Sequence, residues 1–164
     1  MTISIMPTLL RFLRLLSLVV WVGGLIFFAF VVAPVAFSSL PSTHEAGIVV
    51  GGTLRVLHWI GLTCGAIFAL TTLLSQRTRL LPQLLLVAAM LAATVYLQAS
   101  VLPAMEIDRQ HAGGNIDAAP TTDPARQDFN RLHARSERVE GAVLLAGLLL
   151  VFLLAREPAT PAKL

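Results

Sequence analysis

Six polar residues stand within or beside long apolar stretches of this sequence, where a polar side chain is costly and usually has a role. They are Arg55, His58, Gln98, His133, Ser136 and Glu140. In a helix, which turns by about 100° per residue, His133, Ser136 and Glu140 lie in one line on an otherwise apolar face. Arg55 and His58 are three residues apart, which puts them on one side of a helix. We expect the six to form one polar cluster, with Arg55 and Glu140 as its charge pair.

Two roles fit such a cluster, and the residues alone leave both open. Polar side chains often hold membrane helices in register, and this is the simpler interpretation. The alternative is a ligand, ion or proton site built on the same residues. A third outcome is that some of these groups never meet.

The histidines also bear on metal and haem chemistry. His58 and His133 are the obvious pair to ligate a haem or a metal from two different helices. However, the sequence has no HxxxH spacing, no ferritin-type Glu-x-x-His pair and only one cysteine, Cys64. We therefore predict no cofactor, with haem or copper held by His58 and His133 as the alternative.

The sequence gives little support to catalysis or to nucleic-acid binding. No nucleophile-base pair, glycine-rich phosphate loop or pair of catalytic carboxylates is visible, so an enzyme is the least supported class. The sequence pI of about 10.0 comes mainly from scattered arginines. Because no run of basic residues interleaves with aromatics, nucleic-acid binding is not predicted.

The elements that position the cluster follow from composition. Of the 164 residues 56% are apolar and 13% are charged, whereas soluble proteins have about 25% charged residues. The apolar stretches predict four membrane spans at about 13–37, 46–75, 82–105 and 138–156. A polar loop at 106–123 leads into an amphipathic helix, 124–138, that continues into the last span. The expected fold is an all-α integral membrane four-helix bundle in contact with the lipid bilayer.

Arginine and lysine predict the orientation of the bundle, because they are enriched in cytoplasmic loops. Basic residues precede the first span, form a tight turn at 76–79 after the second, and follow the fourth, whereas the first loop has none. These residues are Arg11, Arg14, Arg77, Arg79, Arg156 and Lys163. Both termini are therefore predicted to be cytoplasmic, although the third connection is also rich in arginine.

Glycine spacing predicts where helices approach closely. Gly47 and Gly51 are four residues apart in the second span, and so are Gly61 and Gly65. Such small-xxx-small pairs let two helix backbones pack tightly.

Four short motifs resemble one known family. They are Trp21-Val22-Gly23-Gly24, the run Val-Ala-Pro-Val-Ala-Phe at 32–37, Ala46-Gly47, and Phe-Asn-Arg-Leu-His-Ala-Arg-Ser at 129–136. Together they resemble the transmembrane-protein-205-like family, a four-helix membrane domain of unknown function, over nearly the whole chain. The resemblance implies four helices and directs attention to His133 and Ser136. It implies no activity, because the family has no settled one. The Trp-Gly-Gly first helix is also similar to copper-resistance D membrane domains, but the Met/His-rich segments suited to copper handling are missing.

Three functions remain in competition. The first is a non-enzymatic bundle that binds a small ligand or supports a partner. The second is a small transporter or channel component, which would act as a homo-oligomer with Arg55 and Glu140 reachable by water. The third is a haem- or metal-binding membrane protein.

Overall fold

Four long helices make up almost all of the chain in the computed structural model, which describes residues 5–75 and 81–156. The helices are α1 (Met6–Ser39), α2 (Thr43–Leu73), α3 (Leu81–His111) and α4 (Pro124–Ala155). Each is long and apolar enough to cross a membrane, and they run alternately up and down. The predicted all-α membrane bundle is confirmed. The basic turn predicted at 76–79, and Lys163, lie outside the described residues.

The third helix is longer than the predicted span, because the polar segment that begins at Glu106 stays helical as far as His111. An ion pair between Arg109 and Glu106, three residues apart and 2.8 Å from nitrogen to oxygen, supports this extra turn. The helix then ends at Gly113 and Gly114, whose φ angles of 78° and 89° suit glycine. Their N–H groups donate to the carbonyls of Gln110 and Arg109, which closes the helix end.

The start of α4 follows the predicted signal. The side chain of Asp123 accepts hydrogen bonds from the N–H groups of Ala125 and Arg126, at 2.8 and 3.2 Å. Pro124 occupies the first helical position, where its missing N–H costs nothing. From there α4 runs without a break through the amphipathic segment and the apolar segment.

Two prolines lie inside helices, and each is preceded by a π-helical turn. Pro34 follows the turn Phe28–Val32 in α1, and Pro103 follows the turn Leu97–Val101 in α3. A proline inside a helix donates no hydrogen bond and clashes with the carbonyl four residues earlier. The wider turn, with its hydrogen bond to the fifth residue back, accommodates that loss. Pro103 thus lies inside a long helix rather than near its end.

Glycines serve two different purposes in α2. Gly61 and Gly65 pack on the buried indole of Trp21, as the glycine spacing predicts, and a Cβ on Gly65 would lie 2.6 Å from Trp21 Cζ3. At Gly47 and Gly51, by contrast, an added Cβ would meet no atom of the described chain within 4 Å. This second pair therefore faces open space instead of another helix.

The packing of α1 changes along its length. We call the bundle end that carries residues 40–42 and 112–123 the loop end, and the opposite end the terminal end. In the terminal half α1 contacts both α2 and α4, where Val22 meets Gly147. In the loop half α1 packs on α2, and among the described residues it makes at most sparse contact with α4. A gap between α1 and α4 results.

Candidate functional site

The centre of the site is His58, an α2 side chain that is only 2% exposed. Its Nδ1 lies 3.0 Å from Gln98 Oε1 on α3, and its Nε2 contacts Glu140 Oε1 on α4. The imidazole therefore links three helices through two polar contacts. Three of the six predicted cluster residues come together in this way, and we call them the His58 triad.

The acceptors on both sides of the ring limit where its protons lie. With Gln98 Oε1 facing the ring as the acceptor, the matching His58 tautomer carries a proton on Nδ1 and donates it. In that tautomer a second proton lies between Nε2 and Glu140 Oε1, either on the imidazolium or on the carboxylic acid. His58 and Glu140 together have zero net charge in both arrangements. A neutral pair is much less costly to hold within a membrane bundle than a lone charge.

Arg55 does not belong to the triad. It lies on the exposed face of α2, and the partner of Glu140 is His58. The predicted Arg55–Glu140 pair is therefore absent from the described structure. Residues three apart on a helix still differ by about 60° in direction, and this separates the inward His58 from the outward Arg55.

His133 and Ser136 lie near the triad without joining it. The His133 side chain is 47% exposed, its Nε2 is 3.3 Å from Glu137 Oε1, and its ring stacks on Phe129. Ser136 is buried and donates a hydrogen bond of 2.9 Å to the His133 carbonyl. His133 lies about 10 Å along α4 from Glu140, so the helix does not bring it level with His58. Within residues 5–75 and 81–156, no three His, Cys, Asp or Glu side chains are grouped to hold a metal ion.

A cavity of about 500 Å³ occupies the loop half of the bundle, next to the gap between α1 and α4. All four helices and the connection before α4 contribute to its walls. Its apolar lining comes from Leu25, Phe28, Ala29, Ala33, Phe37, Val50, Leu54, Met105, Ile116, Phe129 and Leu144. Its polar lining comes from Thr43, His44, Arg109, Asp117, Asn130, His133, Ser136, Glu137 and Glu140. Gly47 and Gly51 leave room for it on α2.

Glu140 connects the cavity to the His58 triad. Its side chain is 17% exposed and forms part of the cavity wall, whereas His58 lies behind it. Oε1 is engaged with His58, and Oε2 makes no hydrogen bond to any described residue. The cavity therefore contains a hydrogen-bond acceptor at its inner end, next to Leu144 and Gly141.

Polar groups near the loop end of the cavity are already paired. Thr43 Oγ1 donates to Asp117 Oδ2 at 2.7 Å, which ties α2 to the connection before α4. The Arg109 guanidinium pairs with Glu106 and lies 5.5 Å from the centre of the Phe129 ring. This cation–π contact joins α3 to α4 at the cavity mouth.

Comparison with known proteins gives the chain a family. A family model described as "Domain of unknown function (DUF4149)" matches residues 16–110, more than half of the chain. The chain belongs to the DUF4149 family. No curated protein and no solved structure matches it. His58 and Gln98 lie within the DUF4149 match, and Glu140 lies beyond it.

This DUF4149 protein also has a second buried polar group, which was not predicted. At the terminal end the bundle buries Arg14, Ser17, Thr71, Thr72 and Gln83. Arg14 was interpreted only as a basic flank of the first span. Arg14, Ser17, Leu18 and Trp21 are all buried, and they follow one another at the three- to four-residue intervals of one helix face. That period was the signal that Arg14 points into the bundle.

Proposed function

We propose that this chain is a non-enzymatic, multi-pass membrane protein that binds one small amphipathic molecule in the loop-half cavity. The observation that carries the proposal is Glu140 Oε2, which has no hydrogen-bond partner among the described residues, at the inner end of a cavity with largely apolar walls. Small-molecule sites are typically about 300–1,000 Å³ and combine apolar walls with a few convergent polar groups. The cavity volume of about 500 Å³ falls within that range.

The glycines of α2 argue against a purely structural role for this region. Where α2 packs tightly, Gly61 and Gly65 contact Trp21 directly. Gly47 and Gly51 have the same spacing, yet they border open volume rather than a partner helix. The His58 triad alone ties α2, α3 and α4 together, and that task requires no cavity beside it.

The gap between α1 and α4 favours a ligand that arrives from the membrane. Five apolar α1 residues, Leu25, Phe28, Ala29, Ala33 and Phe37, line the cavity on that side. The facing α4 segment supplies Asn130, Ser136 and Glu140. A molecule with an apolar body and a polar group matches both walls.

The resemblance seen in the sequence supports the same site. We propose that the chain is also a transmembrane-protein-205-like protein, on the motifs that carry the resemblance. Four residues of the 129–136 motif line the cavity, namely Phe129, Asn130, His133 and Ser136. The motif is thus concentrated where the proposed ligand binds.

The proposal is tested by filling the cavity. Gly51→Phe places a bulky side chain in the open volume, whereas Gly52→Phe, one residue along, adds the same side chain on the exposed surface of α2. Each protein is purified in lipid nanodiscs, and the small molecules that remain bound are extracted and identified by mass spectrometry.

We expect one species to be retained stoichiometrically by the wild type and by Gly52→Phe, and to be lost from Gly51→Phe. The proposal fails if the three folded proteins retain the same molecules in the same amounts.

A further inference from the structure

The chemistry of the inner cavity end identifies the class of ligand. Resting on the function proposed above, we infer that the bound molecule is an amphipathic amine whose protonated nitrogen donates a hydrogen bond to Glu140 Oε2. Its apolar body then lies along the α1 and α2 walls. The argument depends on the protons of the triad, the charges that face the cavity and the character of its walls.

Glu140 Oε2 is an acceptor in both proton arrangements described for the triad. If the second proton resides on His58, Glu140 is a carboxylate and Oε2 carries part of its negative charge. If the proton resides on Glu140 Oε1, next to His58 Nε2, then Oε2 is a carbonyl oxygen. In both arrangements the ligand has to supply the donor, and a carboxylate or phosphate would place two acceptors together.

The charges near the inner end favour a cation. From α1 only the apolar Leu25, Phe28 and Ala29 face this part of the cavity. His58 of α2 lies behind Glu140, so Glu140 is the member of the pair that lines the cavity. The next group on α3 is the neutral Gln98.

The nearest arginines do not bring a positive charge to this end of the cavity. Arg55 lies on the exposed face of α2, and it does not line the cavity. Arg109 does line the cavity, but it is eleven residues from Gln98 along α3, about 16 Å, and it is paired with Glu106. Toward the mouth the remaining charged groups are Asp117 and Glu137, together with the titratable His44 and His133. Glu137 pairs with His133.

A matched series of alkyl compounds separates charge from hydrogen-bond donation. Dodecylamine is both charged and a donor, dodecyltrimethylammonium is charged only, dodecanol is a donor only, and dodecanoate is an anion. Each radiolabelled compound is equilibrated with nanodiscs that contain the protein and with empty nanodiscs. The saturable excess over the empty nanodiscs measures binding to the protein.

For the wild type we expect dodecylamine to bind about tenfold more tightly than dodecanol, as befits a charge-assisted hydrogen bond. Dodecyltrimethylammonium should fall between them, and dodecanoate should bind most weakly. Glu140→Gln should abolish the preference for the amine, whereas Arg55→Gln on the exposed face should retain it. The order of the series is measured on the wild type, so the inference is tested even if Glu140→Gln does not fold.

Two failures are distinguishable. If dodecanol or dodecanoate binds as tightly as dodecylamine and Gly51→Phe abolishes that binding, the cavity is a binding site and the inference of a cation is wrong. The inference is equally wrong if no member of the series binds while the wild type still retains a molecule that Gly51→Phe loses. If no compound binds and the retained molecules are unchanged by Gly51→Phe, the proposed function itself is wrong.

Discussion

One imidazole, that of His58, links three helices of this protein through polar contacts. His58 supplies both of its ring nitrogens to partners on other helices, Gln98 on α3 and Glu140 on α4. Its removal would leave the Glu140 carboxyl group without its protein partner beside apolar walls. A polar group deprived of its partner in such surroundings loses the hydrogen bond and still bears the cost of its burial.

His58→Ala is therefore expected to lower the free energy of unfolding by about 1–2 kcal/mol, in the range for polar contacts between membrane helices. Arg55→Ala should change it by less than about 0.5 kcal/mol, because Arg55 makes no hydrogen bond or ion pair with another described residue. Unfolding is followed in mixed micelles by circular dichroism. A double-mutant cycle with Glu140→Ala isolates the coupling between the two side chains. Equal losses for His58→Ala and Arg55→Ala would contradict the structure.

The sequence identified the important residues better than it identified their partners. All six candidate residues were recognisable as polar groups in or beside apolar spans, and His58, Gln98 and Glu140 do meet. The prediction that Arg55 pairs with Glu140 was wrong. Arg55 and His58 point only about 60° apart around α2, so sequence spacing alone does not tell which of the two faces the other helices. Only the rotation of α2, which contacts with the other helices determine, decides which one faces inward.

At the scale of elements, glycine separates the packed part of α2 from its open part. Gly65 contacts both Trp21 and Leu91, and an added Cβ would lie 2.6 Å from the nearest atom of each. Gly52 lies on the same helix, is exposed, and has open space where a Cβ would be. The two positions make a matched pair in one element.

Gly65→Ala is expected to destabilise the protein by about 1–2 kcal/mol, because the new methyl group overpacks the contact with Trp21. Gly52→Ala should stabilise it by about 0.5–1 kcal/mol, the usual gain when alanine replaces glycine inside a helix. Both free energies come from the same unfolding assay. An equal stabilisation by both substitutions would show that α1 and α2 do not pack closely at Gly65.

The elements were largely predictable, and their irregularities were not. Apolar length and composition predicted four helices, and Asp123 with Pro124 marked the start of α4. The π-helical turns before Pro34 and Pro103 were missed, because hydrophobic patterns do not record how a helix absorbs a proline. The extension of α3 beyond Glu106 was missed because its residues are polar. The cavity also escaped prediction, since its volume depends on how far apart the completed helices lie.

For the whole molecule, the arginines of the third connection bear on orientation. Arg109 pairs with Glu106, Arg131 lies 3.2 Å from Asp128, and the remaining described basic residues near the terminal end include Arg11, Arg14 and Arg156. The prediction of cytoplasmic termini rests on the basic residues at the terminal end, against the arginines of the third connection.

We expect both termini in the cytoplasm, so a green fluorescent protein fused after residue 164 should fluoresce in a bacterial host. Alkaline phosphatase fused at the same position should be inactive, and the same enzyme inserted between Gly113 and Gly114 should be active. The reverse pattern would invert the bundle and place the cavity at the cytoplasmic surface.

The unequal apolar lengths of α1 and α4 have a consequence for the surrounding bilayer. The uncharged run of α1 at 15–37 has 23 residues, about 34 Å, whereas that of α4 at 141–155 has 15, about 22 Å. These two helices border the cavity on either side of the gap. A lipid leaflet that matches both must thin beside α4, at a cost of a fraction of a kcal/mol per ångström. We expect the headgroup layer to dip toward the depth of Glu140, so that an amphiphile would enter the proposed site sideways without carrying its polar group through hydrocarbon.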